Sequence, residues 1–110
     1  ATINLNAANY RVDAAAATQT VTFTGAVVLG NNVAIDTDGA LADNNLTFTG
    51  TINADDAAAQ NRTLAVTAGA GTVTFGGDIG TTQALADLDV TAATIQLNGS
   101  TVQVDDQGGN

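Results

Sequence analysis

Cysteine, histidine, proline, tryptophan and methionine are all absent from this 110-residue chain. Without cysteine there is no disulfide, no thiolate zinc site and no thiol nucleophile. Without histidine the commonest general base and metal ligand is gone. Basic residues are scarce as well: Arg11 and Arg62 stand against eleven acidic residues, every one of them Asp, for a net charge of −9. No basic patch exists to neutralise phosphates, which argues against nucleic acid and anionic membrane as partners. No apolar run approaches membrane-spanning length, and no signal peptide is visible. Aromatic residues are limited to three Phe and one Tyr, and much of the 45% hydrophobic content is Ala. The few large apolar side chains are regularly placed, which fits a narrow core, and the length fits one domain.

What is present is a short phrase said three times: Val21-Thr22-Phe23-Thr24-Gly25, Leu46-Thr47-Phe48-Thr49-Gly50 and Val73-Thr74-Phe75-Gly76-Gly77. Each alternates a large apolar residue with Thr or Gly, ends in Gly, and is followed two residues later by Val27, Ile52 or Ile79. Period-two alternation of strand-favouring residues reads as a half-buried strand, and its recurrence reads as a repeat protein. Two strand types alternate along the chain. The first comprises 2–6, 20–24, 45–49, 72–76 and 94–98; the second comprises 9–13, 32–36, 63–67, 87–91 and 101–105. Between them lie turn formers such as Gly30-Asn31-Asn32, Asp36-Thr37-Asp38-Gly39, Asn53-Ala54-Asp55-Asp56 and Gly108-Gly109-Asn110.

From Ile3 to Val21 is 18 residues, then 25 to Leu46, 27 to Val73 and 22 to Ile95. These lengths suit one coil of a β-solenoid. The expected fold is all-β: a parallel β-helix of about five rungs, right-handed by the crossover rule. Its inner columns are expected to be Ile3-Val21-Leu46-Val73-Ile95, Leu5-Phe23-Phe48-Phe75-Leu97 and Val12-Ile35-Val66-Val90-Val104. Ala1–Asn6 matches Ala93–Asn98 at five of six positions, an offset of 92 residues. The domain reading is therefore a single module over 1–110: a 92-residue repeat of four rungs (1–92) plus a fifth rung (93–110). The rival fold is an immunoglobulin-like β-sandwich, since 92 residues is also the size of such a module, although a sandwich needs no likeness among its strands. The runs Ala14–Ala17 and Ala57–Ala59 are too short and uncapped for helix and read as turns or loops.

The phrases running from Leu46 to Asn53, Leu64 to Gly77 and Leu88 to Gly99 resemble the β-strand repeats of very large secreted bacterial surface proteins. These include filamentous-haemagglutinin-like adhesins and autotransporter passenger regions. The likeness covers about residues 19–105. It implies export, a bacterial cell-surface or extracellular location, and a stalk or spacer role; it carries over no functional residue.

Acidic turns are the first chemical candidates. Asp36, Asp38, Asp43, Asp55 and Asp56 are placed to offer oxygen ligands to a structural calcium ion, although Asp-Gly is also ordinary turn chemistry and the nonapeptide calcium repeat is missing. No other cofactor is expected. Paired carboxylates could serve a glycosidase, but such sites need basic or aromatic neighbours to hold sugar, and this chain has two Arg and one Tyr. The reading is non-enzymatic. Thr22, Thr47 and Thr74 are expected to form an outward column beside Thr20, Asn45, Thr72 and Thr94, so a carbohydrate- or ice-binding face is the alternative function. Asn45-Leu46-Thr47, Asn61-Arg62-Thr63 and Asn98-Gly99-Ser100 fit the glycosylation pattern, which chance alone supplies in a chain this rich in Asn and Thr.

A chain that starts at Ala1 reads as a processed or excised piece of something longer. Neither end looks like a polar cap, and uncapped strand edges recruit other strands. The expected partners are neighbouring copies of the same chain, joined covalently in tandem or end to end through Ile3, Leu5, Ile95 and Leu97.

Overall fold

A computed structural model describes residues 1–14, 19–55 and 62–105. Eleven strands and no helix occur among them: β1 (Thr2–Leu5), β2 (Asn9–Arg11), β3 (Thr20–Phe23), β4 (Ala26–Leu29), β5 (Val33–Asp36), β6 (Asn45–Phe48), β7 (Ile52–Ala54), β8 (Thr63–Thr67), β9 (Thr72–Phe75), β10 (Asp87–Thr91) and β11 (Thr94–Leu97). Through β9 every third strand returns to the same sheet, and β10 and β11 then join the sheets of β8 and β9. The first sheet is ordered β1-β4-β7, the second β2-β5-β8-β10, and the third β3-β6-β9-β11. All pairings between these strands are parallel. The chain is a β-solenoid, and the antiparallel sandwich is not formed.

There are three complete turns of three strands (β1–β3, β4–β6 and β7–β9) and a partial fourth, against an expectation of about five rungs. The missed elements are β4 and β7. Ala26-Val27-Val28-Leu29 is apolar on both faces, so its alternation is invisible in the sequence although only Val27 and Leu29 are buried. β7 is only three residues long. Beyond the third turn the first sheet continues as single bridges, Ile52 to Ile79 in the fourth turn and Ile79 to Val102 one step further, while Leu85 bridges Val104.

The columns of the third sheet are as expected: Val21-Leu46-Val73-Ile95 and Phe23-Phe48-Phe75-Leu97. Ile3 and Leu5 do not belong to them. β1 pairs with β4, which sets Ile3 on Val27 and Leu5 on Leu29. The second sheet opens with Tyr10 on Ile35, where Val12 was expected, and continues through Val66 to Val90; Val104 lies outside it. Alternation tells which residues turn inward; it does not tell which sheet they join. The likeness between 1–6 and 93–98 thus joins a strand of the first sheet to one of the third.

The core is the set of inward columns. Val27, Leu29, Leu46, Phe48, Ile52, Val73, Ile79 and Leu85 are fully enclosed. The three Phe rings lie nearly parallel, 5.1 Å apart between Phe23 and Phe48 and 5.4 Å between Phe48 and Phe75. Stacking like on like lets every inner strand bond the coils before and after it, so neighbours supply the stability that a lone coil lacks.

Two devices fix the corners. Where the third sheet passes to the first, Gly25, Gly50, Gly77 and Gly99 stand one above another. A Cβ on Gly50 would sit 2.5 Å from the Gly25 carbonyl oxygen, and one on Gly77 would sit 2.7 Å from that of Gly50. Elsewhere a side-chain oxygen accepts backbone N–H groups of the next coil. Asn45 Oδ1 accepts from Thr72 (2.8 Å), Asn53 Oδ1 from Thr82 (2.8 Å) and Gln83 (3.1 Å), and Asp78 Oδ1 from Ser100 (2.6 Å) and Thr101 (3.1 Å). Corner N–H groups that no ladder could satisfy are thereby bonded.

Candidate functional site

The acidic turn between β5 and β6 brings together most of the carboxylates singled out in the sequence. Its neck is closed by two buried polar residues. Thr37 Oγ1 donates to the Asn44 carbonyl (2.7 Å), the Asn44 N–H donates to the Thr37 carbonyl (2.9 Å), and Thr37 N–H bonds the Thr67 carbonyl of the next coil (2.8 Å). Beyond the neck Asp38 and Asp43 face each other across an antiparallel bridge. The Asp43 carboxyl pushes the Asp38 carboxyl above its ordinary pKa, first through a hydrogen bond that requires a proton between them and then through like-charge repulsion. Gly69 of the next coil packs over both carboxyls, leaving no room for a Cβ.

The carboxylates around this pair are engaged with backbone. Asp36 Oδ1 accepts the Asp38 N–H (3.0 Å), Asp43 Oδ2 accepts the Ala70 N–H (2.7 Å), and Asp13 Oδ1 accepts the Leu41 N–H (3.3 Å) from one coil below. Arg11 lies 3.6 Å from Asp36 with both side chains well exposed, a geometry worth little. Asp55 stands apart. Arg62 Nε and an Arg62 terminal nitrogen donate to its two oxygens at 2.9 and 3.2 Å, and this fork holds the carboxyl below the usual carboxylate range. Asp56 lies outside the described residues. Among the described residues no group of three or more acidic side chains converges as a metal cage would require. The hydrogen bonds of the turn fasten one coil to the next, through Asp13 and Ala70, which sequence reasoning missed. The only sequence trace of these links is spacing: Asp43 and Ala70 are 27 residues apart, the length of one coil.

The outward face of the third sheet carries the Thr column. Thr22, Thr47 and Thr74 are in direct register, with Thr20, Asn45 and Thr72 alongside; Gln96 follows Thr74 and approaches its hydroxyl at 3.2 Å. Asn4 lies on Val28 in the first sheet, away from this column. No cleft or pocket opens among the described residues.

The end residues separate into two sheets. Ile3 and Leu5 lie on the first sheet, and Leu5 is already buried; Ile95 and Leu97 lie on the third and are exposed. No family model, curated protein or solved structure matches this chain. The runs at 15–17 and 57–59, and the turn at 108–110, lie outside the described residues.

Proposed function

We propose that the chain is a non-enzymatic structural repeat of a bacterial extracellular fibre or giant adhesin, wound as a right-handed coil and acting as a spacer or self-assembling unit. The observation that carries this reading is the uninterrupted coil-on-coil register. Inward columns in all three sheets run from coil to coil, and the corners repeat the same glycine and side-chain-to-backbone devices. Such a lattice resists bending because each coil is bonded to both neighbours, and it extends by adding coils. The resemblance of its phrases to adhesin repeats supports an exported, cell-surface setting.

Four steps from β1 to Val102 give a stack of only about 19 Å, so reach requires many copies. Tandem copies joined covalently are expected to form straight rods whose length grows by about 19 Å per copy in electron micrographs. Flexibly linked beads would refute the spacer reading. The in-register Thr22, Thr47 and Thr74 favour one second reading, a carbohydrate- or ice-binding face. Thermal hysteresis or glycan-array signal that is lost on replacing Thr47 by Val would establish it, and silence in both assays would remove it.

A further inference from the structure

The turn between β5 and β6 is held at several points, and one of them depends on a proton. At its neck Thr37 and Asn44 are fully buried and bond each other twice, and Thr37 is tied to Thr67 of the next coil. On the β6 side Asp43 is fixed to the next coil by the Ala70 N–H, a bond that an ionised carboxylate accepts more strongly than a neutral acid. Asp38 is placed differently. It is exposed, its N–H is taken by Asp36 within the same turn, and its carboxyl finds its partner in Asp43 across the antiparallel bridge. Beyond the bridge lie Gly39, Ala40, Leu41 and Ala42. Leu41 is 67% exposed, and its N–H reaches Asp13 of the coil below over a long 3.3 Å.

We propose that residues 38–42 form a flap latched by one proton: with a proton between Asp38 and Asp43 the flap is closed, and with both carboxyls ionised it swings out on the Thr37–Asn44 neck while the coils stay wound. This goes beyond the spacer reading and does not depend on it. Two carboxylates that face each other repel, and neither has a donor left to offer the other. Gly69 closes the space toward the next coil, since a Cβ there would lie 2.5 Å from Asp43 Oδ2 and 3.0 Å from Asp38 Cγ. With Asp43 held by Ala70, the exposed Asp38 is the member of the pair that moves, and solvent is the side open to it.

The other charged groups around the pair tip the balance the same way. Asp36, two residues back, adds negative charge beside Asp38, and Arg11 on β2 offsets it only in part, lying 3.6 Å from Asp36 with its own side chain 64% exposed. Asp13, from the coil below, brings a further carboxyl and no cation. The turn above, Ala68 to Gly71, and the stretch 14–19 below contain no titratable side chain. The closed flap holds its proton more tightly than the open one. Closure is therefore complete below the ordinary carboxylate value of about 4 and is lost as pH rises through the raised value.

Nitrogen-15 relaxation on the whole 110-residue chain, in a pH series from acid to neutral, tests the latch. Order parameters of Gly39, Ala40 and Leu41 are expected near the rigid value of about 0.85 in acid and below about 0.6 at neutral pH, with Thr37, Asn44 and Ala70 rigid throughout. The fall should follow the titration of the Asp38 carboxyl carbon. Asp38→Asn keeps a donor to Asp43 at every pH and should hold the flap rigid at neutral pH. Asp43→Ala removes the partner and should leave the flap mobile in acid as well, with circular dichroism showing the strands intact. Order parameters that do not change with pH overturn the proposal, as does a fall that Asp38→Asn leaves in place. Loss of order at Thr37 and Asn44 together with the flap overturns it too, because the neck would then not be a hinge.

Discussion

At Asp38 the facing Asp43 carboxyl raises the pKa, so the folded chain takes up a proton there more readily than the unfolded chain does. That contribution to stability is complete below the ordinary carboxylate value of about 4 and is lost as pH rises through the raised value. At Asp55 the sign is opposite. The Arg62 fork lowers the pKa, and its stabilisation is present above the ordinary value and lost as pH falls through the lowered one. Asp38→Asn supplies a permanent N–H donor to Asp43 in place of the proton. It should raise the melting temperature at neutral pH and leave it unchanged in acid. Arg62→Ala should lower it at neutral pH, modestly because the pair is partly exposed, with the difference vanishing in acid. A pH series of thermal melts reads both. The grouping of Asp36, Asp38 and Asp43 is legible in the sequence because they fall within one turn. The partners that engage them are not, because Asp13 and Ala70 come from the coils below and above.

On the scale of the strand and its corner, the Phe-Thr-Gly phrase proves to be one unit: an inward ring followed by the glycine that lets the next coil approach. Both halves are visible in the sequence. The strands that follow the corner were not recognised, because Val28 presents an apolar side chain outward and β7 is too short to show a period. Gly77→Ala forces a Cβ into the Gly50 peptide and should cost about 1–3 kcal/mol, as overpacking does. Phe48→Ala removes the middle ring of the stack, enclosed on both sides, and should cost about 3–5 kcal/mol. Phe23→Ala should cost less, since that ring is half-buried at the end of the row. Urea denaturation of the three variants gives the order, and a Phe23 loss equal to that of Phe48 would contradict the stacked arrangement.

Across the whole molecule, burial falls from the middle coils to both ends. β6 and β9 alternate buried and half-buried residues, whereas β11 is exposed along its length. Local opening follows such gradients. Amide hydrogen exchange on dilute, monomeric chain should therefore be slowest in β6 and β9 and fastest in β1 and β11; uniform protection would mean that the ends are held by something other than the coil. The parallel stack as a whole was legible because similar phrases at coil-length intervals must lie side by side to bury their rings. The number of turns was not, because it depends on how corners apportion strands among three sheets, and β1 and β11 show that near-identical strands can serve different ones.

The placement of the aromatic residues has an optical consequence. Tryptophan is absent and Tyr10 is the single tyrosine, held in the first coil on Ile35, while the three phenyl rings run up the third sheet through three successive coils. Tyrosine emission therefore samples one level of the stack, and the near-ultraviolet phenyl bands sample the levels above it as well. Light of two wavelengths reads two depths of the same stack, with no label attached.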